Sequence, residues 1–308
     1  MVTVVIMTVT VLVPDDEGVA VLSENPLVHA VRYEWGTQMP AEAAKAEVLV
    51  PDMDSAGDGI WRDLPNLKLV QLLTAAADDW VGRVPDGVLL STCRGAHGGS
   101  TAEWVVGVLL AMYRNLDGYA AAQRARRWAQ LPSDTLQGQH VLIVGAGDLG
   151  RQLRRRLEPF DVRCTMVGMS AREGVHGVEE LPSLLPHHDV VVMMVPLTSR
   201  TRGMVDEQFL ASMRDGAVLV NAAQGPVVVT DALVAELVGG RLRAALDGTD
   251  PEPLPADHPL WSAPGFVLTP HVAGAVRGVR RRAYVVAAAE IARYAGGELP
   301  SNLVRGEY

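Results

Sequence analysis

Two side chains close to the ends of neighbouring apolar runs could pass a proton between them. One is His271, in Thr269-Pro270-His271; the other is Glu252, in the loop Asp247-Gly248-Thr249-Asp250-Pro251-Glu252-Pro253. Reducing a carbonyl requires a hydride on carbon and a proton on oxygen, and histidine is the natural proton donor near neutral pH. A carboxylate beside the imidazole would hold its orientation and favour its protonated form. Taken singly, His271 also reads as a structural histidine and Glu252 as a surface acid. What tilts the reading is a third feature upstream.

That feature is Gly145-Ala146-Gly147-Asp148-Leu149-Gly150, set between the run His140–Val144 and a helix opening at Arg151. A bare GxGxxG pattern is weak, but strand before and helix after form the context it requires. The first glycine permits the tight turn, the second admits a pyrophosphate close to the backbone, and the third lets helix pack on strand. The helix N-terminus then offers N–H groups and partial positive charge to that anion. At the end of the next strand, an acid would bind a ribose 2′-hydroxyl and repel a 2′-phosphate. The residues there are Ser170-Ala171-Arg172. A hydroxyl followed by a cation favours NADP(H) over NAD(H), against the plainer reading of Arg172 as a solvated loop charge. Arg154, Arg155 and Arg156 read as an exposed helix face.

The elements that would position these groups follow from the hydrophobic pattern. The chain has 308 residues, 48% of them hydrophobic, which is enough for two domains. Short β-branched runs alternate with helical stretches, the pattern of parallel α/β sheets. Strands are expected near 8–13, 29–33, 46–50, 69–73 and 88–91, spaced as in a small flavodoxin-like unit. A helix over 100–114 and a polar segment through 139 come next. A second series near 140–144, 163–168, 189–195, 217–221, 244–246 and 266–269 makes a full doubly wound unit, and a long helix is expected over 277–295. The runs are apolar rather than alternating, as in strands covered on both faces.

Composition removes several function classes. A net charge of −9 leaves no electrostatic footprint for nucleic acid or an anionic membrane. Two cysteines, Cys93 and Cys164, make no disulfide framework and fit a reducing compartment. The apolar opening over 1–13 has no basic n-region or cleavage site, and no run reaches the length of a membrane span, so a cytoplasmic location is expected. No spacing of metal ligands occurs, and the other histidines read as structural or exposed.

From about residue 69 to 275 the chain resembles the D-isomer-specific 2-hydroxyacid dehydrogenases. The resemblance rests on Ser100-Thr101-Ala102-Glu103, the glycine fingerprint, Val195-Pro196-Leu197-Thr198 with Thr201, Asn221-Ala222-Ala223-Gln224-Gly225, the 247–253 loop and Thr269-Pro270-His271. It implies a doubly wound Rossmann domain, residues 99–275, inserted into a discontinuous flavodoxin-like substrate domain, residues 1–98 and 276–308. It further implies His271 as general acid/base, Glu252 as its partner, and Asp247 as the residue holding the nicotinamide carboxamide. Thr101, Pro196 and Thr201 would line the cofactor. A homodimer is implied, with residues 100–127 at the interface, and the partner molecule would be a small carbonyl or hydroxy compound.

Two positions depart from the pattern. Gln224 stands where the family carries an arginine that grips the substrate carboxylate and polarises the carbonyl. Ala75-Ala76-Ala77-Asp78 stands where an Ala-Gly-x-Asp-like loop binds that carboxylate through backbone N–H groups. Exchanging a charged two-pronged clamp for a neutral amide costs roughly 1.5–3 kcal/mol. The substrate is therefore either a 2-oxo acid held weakly or a different carbonyl compound. The competing class is a non-catalytic dinucleotide-binding relative acting through partner contacts, and NAD(P)H consumption across a carbonyl panel separates the two.

Overall fold

The protein is described by a computed structural model over residues 8–53, 55 and 60–306; the apolar opening through Met7 lies outside these residues. In chain order the elements are β1 (Val9–Val13), α1 (Asp16–Leu22), β2 (Val28–Arg32), β3 (Val48–Leu49), β4 (Leu69–Gln71) and β5 (Leu89–Ser91). Then come α2 (Gly98–Tyr113), α3 (Leu116–Arg124), β6 (His140–Val144), α4 (Asp148–Leu157), β7 (Arg163–Gly168), β8 (His176–Gly177) and α5 (Leu181–Leu184). The series ends with β9 (Val190–Met193), α6 (Glu207–Ser212), β10 (Val218–Asn221), α7 (Thr230–Val238), β11 (Arg243–Leu246), β12 (Phe266–Leu268) and α8 (Val279–Ala295). The chain divides into two compact units, Met1–His97 with Arg277–Tyr308, and Gly98–Val276.

The first unit is a five-stranded parallel sheet in the order β2-β1-β3-β4-β5, the flavodoxin-like arrangement. Strand alternation sends Val11, Val13, Val48 and Leu69 to one face, where Ala283, Tyr284, Ala287 and Ile291 of α8 cover them. Leu12 and Leu49 point the other way, onto Tyr33, Ala43 and Leu64. Both faces are buried, which is why these strands lack polar alternation. The α1 helix begins where the Asp15 carboxylate accepts from the Gly18 N–H at 2.8 Å.

The second unit is a seven-stranded parallel sheet, ordered β12-β11-β10-β9-β6-β7-β8. Strand order reverses between β6 and β9, as in the doubly wound Rossmann fold, and ligands of such sheets bind outside the carboxyl ends at that point. Val141, Ile143, Val190 and Val192 bury one face beneath α2 and α4, against Val105, Leu109, Leu153 and Leu157. Leu142, Val144, Val191 and Leu219 bury the other beneath α6 and α7, against Phe209, Leu210, Leu233 and Leu237.

Three local features differ from the expected elements. The polar segment after residue 114 contains α3, which buries only Ala122 and leaves Leu116 exposed, so no apolar stripe announces it. The chain enters α3 through Asn115 in the left-handed region, φ 50°. A two-residue strand, β8, pairs with the end of β7. The last helix starts at Val279 rather than 277, because Gly278 at φ 75° breaks the helical path before it. Among the described residues no helix is long and apolar enough to cross a membrane.

Candidate active site

The glycine-rich turn joins β6 to α4 at the switch point, and each glycine has a distinct steric reason. Gly145 has φ 122°, and a Cβ there would lie 2.3 Å from the Met194 carbonyl oxygen, where the chain leaves β9. A Cβ on Gly150 would lie 2.0 Å from the Gly145 oxygen. Around Gly147 nothing lies within 4 Å of an added Cβ, so this middle glycine faces open space that a phosphate could approach. Gly147 is the N-cap of α4 and no side chain caps it, leaving first-turn N–H groups for an anion. The turn therefore fits a dinucleotide pyrophosphate. The Asp148 carboxylate turns away, its Oδ2 buried against Gly98 at the start of α2 without a hydrogen-bond partner among the described residues. What Asp148 and Leu149 can offer an anion is their backbone N–H.

Around this cradle the other expected residues separate into two kinds. Ser170 and Arg172 are exposed beyond the end of β7, with Arg172 Nη1 donating to the Ser170 oxygen at 3.4 Å and Nη2 to the Ala146 oxygen at 3.3 Å. Thr201 is 3% exposed, and its hydroxyl donates to the Pro196 oxygen at 2.6 Å and accepts from the Thr198 N–H at 2.8 Å. That hydroxyl locks the 196–201 turn and is used up in doing so; Pro196 itself is exposed. Thr101 is buried in the first turn of α2.

At the carboxyl ends of β11 and β12, His271 and Glu252 meet, Nδ1 to Oε1 at 3.0 Å. The bond places the proton of the neutral ring on Nδ1 and leaves Nε2 without a partner among the described residues. Both side chains are about half exposed, 50% and 44%. His271 has φ 55°, a region unfavourable for a side chain with a Cβ. The Asp247 carboxylate sustains that turn. Its Oδ1 accepts from the Thr269 hydroxyl at 2.6 Å and the Val272 N–H at 2.9 Å, and its Oδ2 accepts from the Ala273 N–H at 2.8 Å. Asp247 is 5% exposed.

Gln224 belongs to the same neighbourhood. A Cβ on Gly225 would lie 2.0 Å from the Thr249 oxygen, so the 224–225 turn packs directly on the 248–250 backbone. Gly248 sits beside the His271–Glu252 pair: a Cβ there would be 3.1 Å from Glu252 Oε2, 3.6 Å from the Gly225 nitrogen and 3.9 Å from His271 Nδ1. Buried Asn221 anchors the turn, donating to the Gln224 oxygen at 3.0 Å and accepting from the Ala223 N–H at 3.1 Å. The Gln224 amide itself makes no hydrogen bond among the described residues.

Ala75, Ala76 and Ala77 lie in the first unit, in the loop after β4. The Thr74 hydroxyl donates to the Ala76 oxygen at 2.7 Å, and Ala77 is buried beside Trp80. Neither cysteine is poised as a nucleophile: burial pushes the Cys93 thiol up to about 12 and the Cys164 thiol up to about 11. His188 is structural, bridging the Leu184 oxygen at 2.7 Å and the Thr165 hydroxyl at 2.9 Å.

Residues 106–273 match the family model described as D-isomer specific 2-hydroxyacid dehydrogenase, NAD binding domain. The chain belongs to the D-isomer specific 2-hydroxyacid dehydrogenases. It is an NAD(P)-dependent oxidoreductase that transfers hydride. Among relatives of this 2-hydroxyacid dehydrogenase, the glyoxylate reductase of Thermofilum pendens is 33% identical over 258 residues, 79% of this chain and 76% of that one. A solved D-isomer specific 2-hydroxyacid dehydrogenase from Xanthobacter autotrophicus, in complex with NADPH and MES, superposes with TM-score 0.83 at 30% identity, covering 97% of this chain and 98% of its own. The NADPH-dependent glyoxylate/hydroxypyruvate reductase of Sinorhizobium meliloti, in complex with NADP and sulfate, gives TM-score 0.80 at 26% identity, covering 96% and 98%.

The sequence placed Asn221 and Gly225 in one family-like segment and Gly248 in the 247–253 loop, but assigned none of the three a role. A steric requirement made by a chain segment distant in sequence leaves no local pattern. Asn221 carried a signal: a polar residue closing the buried apolar run of β10.

Proposed function

We propose that this 2-hydroxyacid dehydrogenase reduces a small carbonyl compound with NADPH, His271 supplying the proton and Glu252 orienting the imidazole. The observation that carries the reading is the 3.0 Å Nδ1–Oε1 bond, which holds one proton on Nδ1 and leaves Nε2 as the position where the imidazolium would carry the second, transferable proton. When bound, the dinucleotide supplies the hydride. The uncapped start of α4 and the open face of Gly147 would hold its pyrophosphate. Ser170 and Arg172 would take the 2′-phosphate, and the NADPH and NADP complexes of the two structural relatives support that choice of cofactor. Asp247 would act through the turn carrying His271, its carboxylate accepting from three donors there, with Oδ2 keeping a lone pair for the nicotinamide carboxamide.

Gln224 makes the substrate class unusual. Its neutral amide can hydrogen-bond a carbonyl or hydroxyl but leaves a substrate carboxylate without a counter-charge. The substrate is then either a 2-oxo acid such as glyoxylate or pyruvate, held weakly, or a carbonyl compound without the carboxylate. The first unit, with Ala75 to Ala77, would form the substrate domain. A cytoplasmic homodimer is part of the proposal, supported by Leu116 and Trp128, 52% and 99% exposed near the expected interface.

NADPH oxidation across a panel of carbonyl compounds tests the reading. At least one compound should be turned over, and His271→Asn should keep cofactor affinity while turnover drops by roughly 10²–10⁴. An unchanged rate in that variant would remove His271 from the mechanism.

A further inference from the structure

A second group of charged side chains gathers at the amino ends of β6, β9, β10 and β11, the end of the parallel sheet opposite the glycine cradle and the His271–Glu252 pair. A polar pit of 250 Å³ opens there. Tyr113, the last residue of α2, is buried in its wall. The Arg243 guanidinium lies over that ring, its Cζ 5.1 Å from the ring centroid. Arg243 opens β11, and its Nη2 donates to the Gly216 oxygen at 3.2 Å. Its stem is set against Gly265, where a Cβ would come within 3.0 Å of Arg243 Cγ. Asp134 reaches the same tyrosine from the segment before β6, its N–H donating to the Tyr113 oxygen at 2.7 Å.

The other charges of the wall already have partners. Arg214 pairs with Asp189 Oδ1, and Asp189 Oδ2 accepts from the His140 N–H at 2.8 Å. Asp215 pairs with Arg241 at 3.4 Å. Two opposite charges are left over: among the described residues neither Arg243 nor Asp134 forms an ion pair, although both border the pit. The Asp134 carboxylate accepts from the Thr135 N–H at 2.7 Å, a bond that leaves its charge unmatched. Stacking on Tyr113 occupies the face of the guanidinium and leaves its edge N–H groups for a two-pronged grip on a carboxylate. Asp134 can take an ammonium group. Gln139, whose Nε2 donates to the Thr135 oxygen at 3.1 Å, adds an amide oxygen as a second acceptor. Burial pushes the Tyr113 hydroxyl up to about 12, so at neutral pH it stays a neutral donor. An added Cβ on Gly216 would meet nothing within 4 Å, so the pit has room on that side. A phosphate dianion suits it poorly, because Asp134, Asp189 and Asp215 stand there against two guanidiniums.

We propose that this pit is a binding site for a small α-amino acid, whose carboxylate lies on Arg243 and whose ammonium group lies on Asp134. Opposite charges held in one pocket without meeting fit a ligand that carries both, and a ligand with only one of them leaves the other wall charge unmatched. The site stands at the far end of the sheet from hydride transfer, and neither Arg243 nor Asp134 belongs to the cofactor or proton-transfer machinery, so the proposal is independent of the NADPH reading above.

The test is isothermal titration calorimetry of the full-length protein with glycine, L-alanine and L-serine, and with acetate, methylammonium and inorganic phosphate as probes carrying charge of one sign. At least one amino acid should bind the wild type with a Kd below about 1 mM, and each single-sign probe at least tenfold more weakly. Arg243→Gln and Asp134→Asn should each weaken that amino acid at least tenfold. Asp134 is exposed and its substitution leaves the β11 packing untouched, so this variant decides the matter if circular-dichroism melts show that Arg243→Gln has lost its fold. A wild type that binds none of the three amino acids overturns the proposal. So does acetate or phosphate binding as tightly as the amino acid, which makes the pit a plain anion site. Amino-acid binding that survives the Asp134 substitution places the ligand elsewhere and overturns it as well.

Discussion

Replacing Asp247 by Asn keeps the shape of a side chain that is 5% exposed and removes its charge. The carboxylate now receives three hydrogen bonds, from the Thr269 hydroxyl and the Val272 and Ala273 N–H groups. With its oxygen at the Oδ1 position, an amide preserves the first two as neutral bonds. Its NH2 group then opposes the Ala273 N–H, donor against donor. A bond to a charged acceptor contributes about 1.5–3 kcal/mol, a neutral one about 0.5–1.5, and a stranded buried donor costs about 1–3 kcal/mol. The turn over 269–273 should lose about 2–4 kcal/mol against its open form, starting from a His271 backbone at φ 55° that is itself unfavourable. Amide hydrogen exchange reads this without any substrate. At fixed pH, exchange at Val272 and Ala273 should speed up by about 30- to 1,000-fold in Asp247→Asn, about one decade per 1.4 kcal/mol. Exchange in β9 should stay unchanged, which localises the effect. Exchange at Val272 and Ala273 within threefold of wild type would refute the assignment of Asp247 as the anchor of the His271 turn.

Two further outcomes are expected. Gln224→Arg should raise kcat/KM on glyoxylate, pyruvate and hydroxypyruvate at least about tenfold, one step of 1.4 kcal/mol, with Ala76→Gly adding to the gain; brisk wild-type turnover of these acids in steady-state assays would mean that Gln224 is no handicap. For His188, burial holds the imidazole below its usual range in the folded protein, so below about pH 6.5 the unfolded chain takes up a proton that the folded one refuses. Melting temperature should fall as pH drops from about 7 to 5, and more gently in His188→Gln; parallel slopes for the two proteins would exclude His188 as a contributor.

The fold class was legible because β6, β9 and β10 are buried on both faces and so stand out as short β-branched runs. The cradle was legible because glycines are demanded at positions where chain crosses chain. Elements without an apolar face were not: α3 buries one alanine, and β8 is two residues long. In the candidate site, the ordered motifs already set His271 and Glu252 at the ends of adjacent strands. The use of the Asp247 carboxylate was hidden, since its donors arrive from Thr269, Val272 and Ala273, beyond an intervening loop and strand. Likewise the Thr201 hydroxyl looks free in one dimension and is enclosed by its own turn.

The contact between Gly145 and the Met194 carbonyl has a mechanical meaning. The glycine-rich turn and the loop after β9 lean on the same point, with no side chain between them to act as a cushion. Redesigning this enzyme for another nucleotide therefore offers little freedom to retune one end at a time. A bulkier residue at 145 would prise apart the two loops together, so changes meant for the ribose end are better made in the Arg172 turn, which hangs outside that contact.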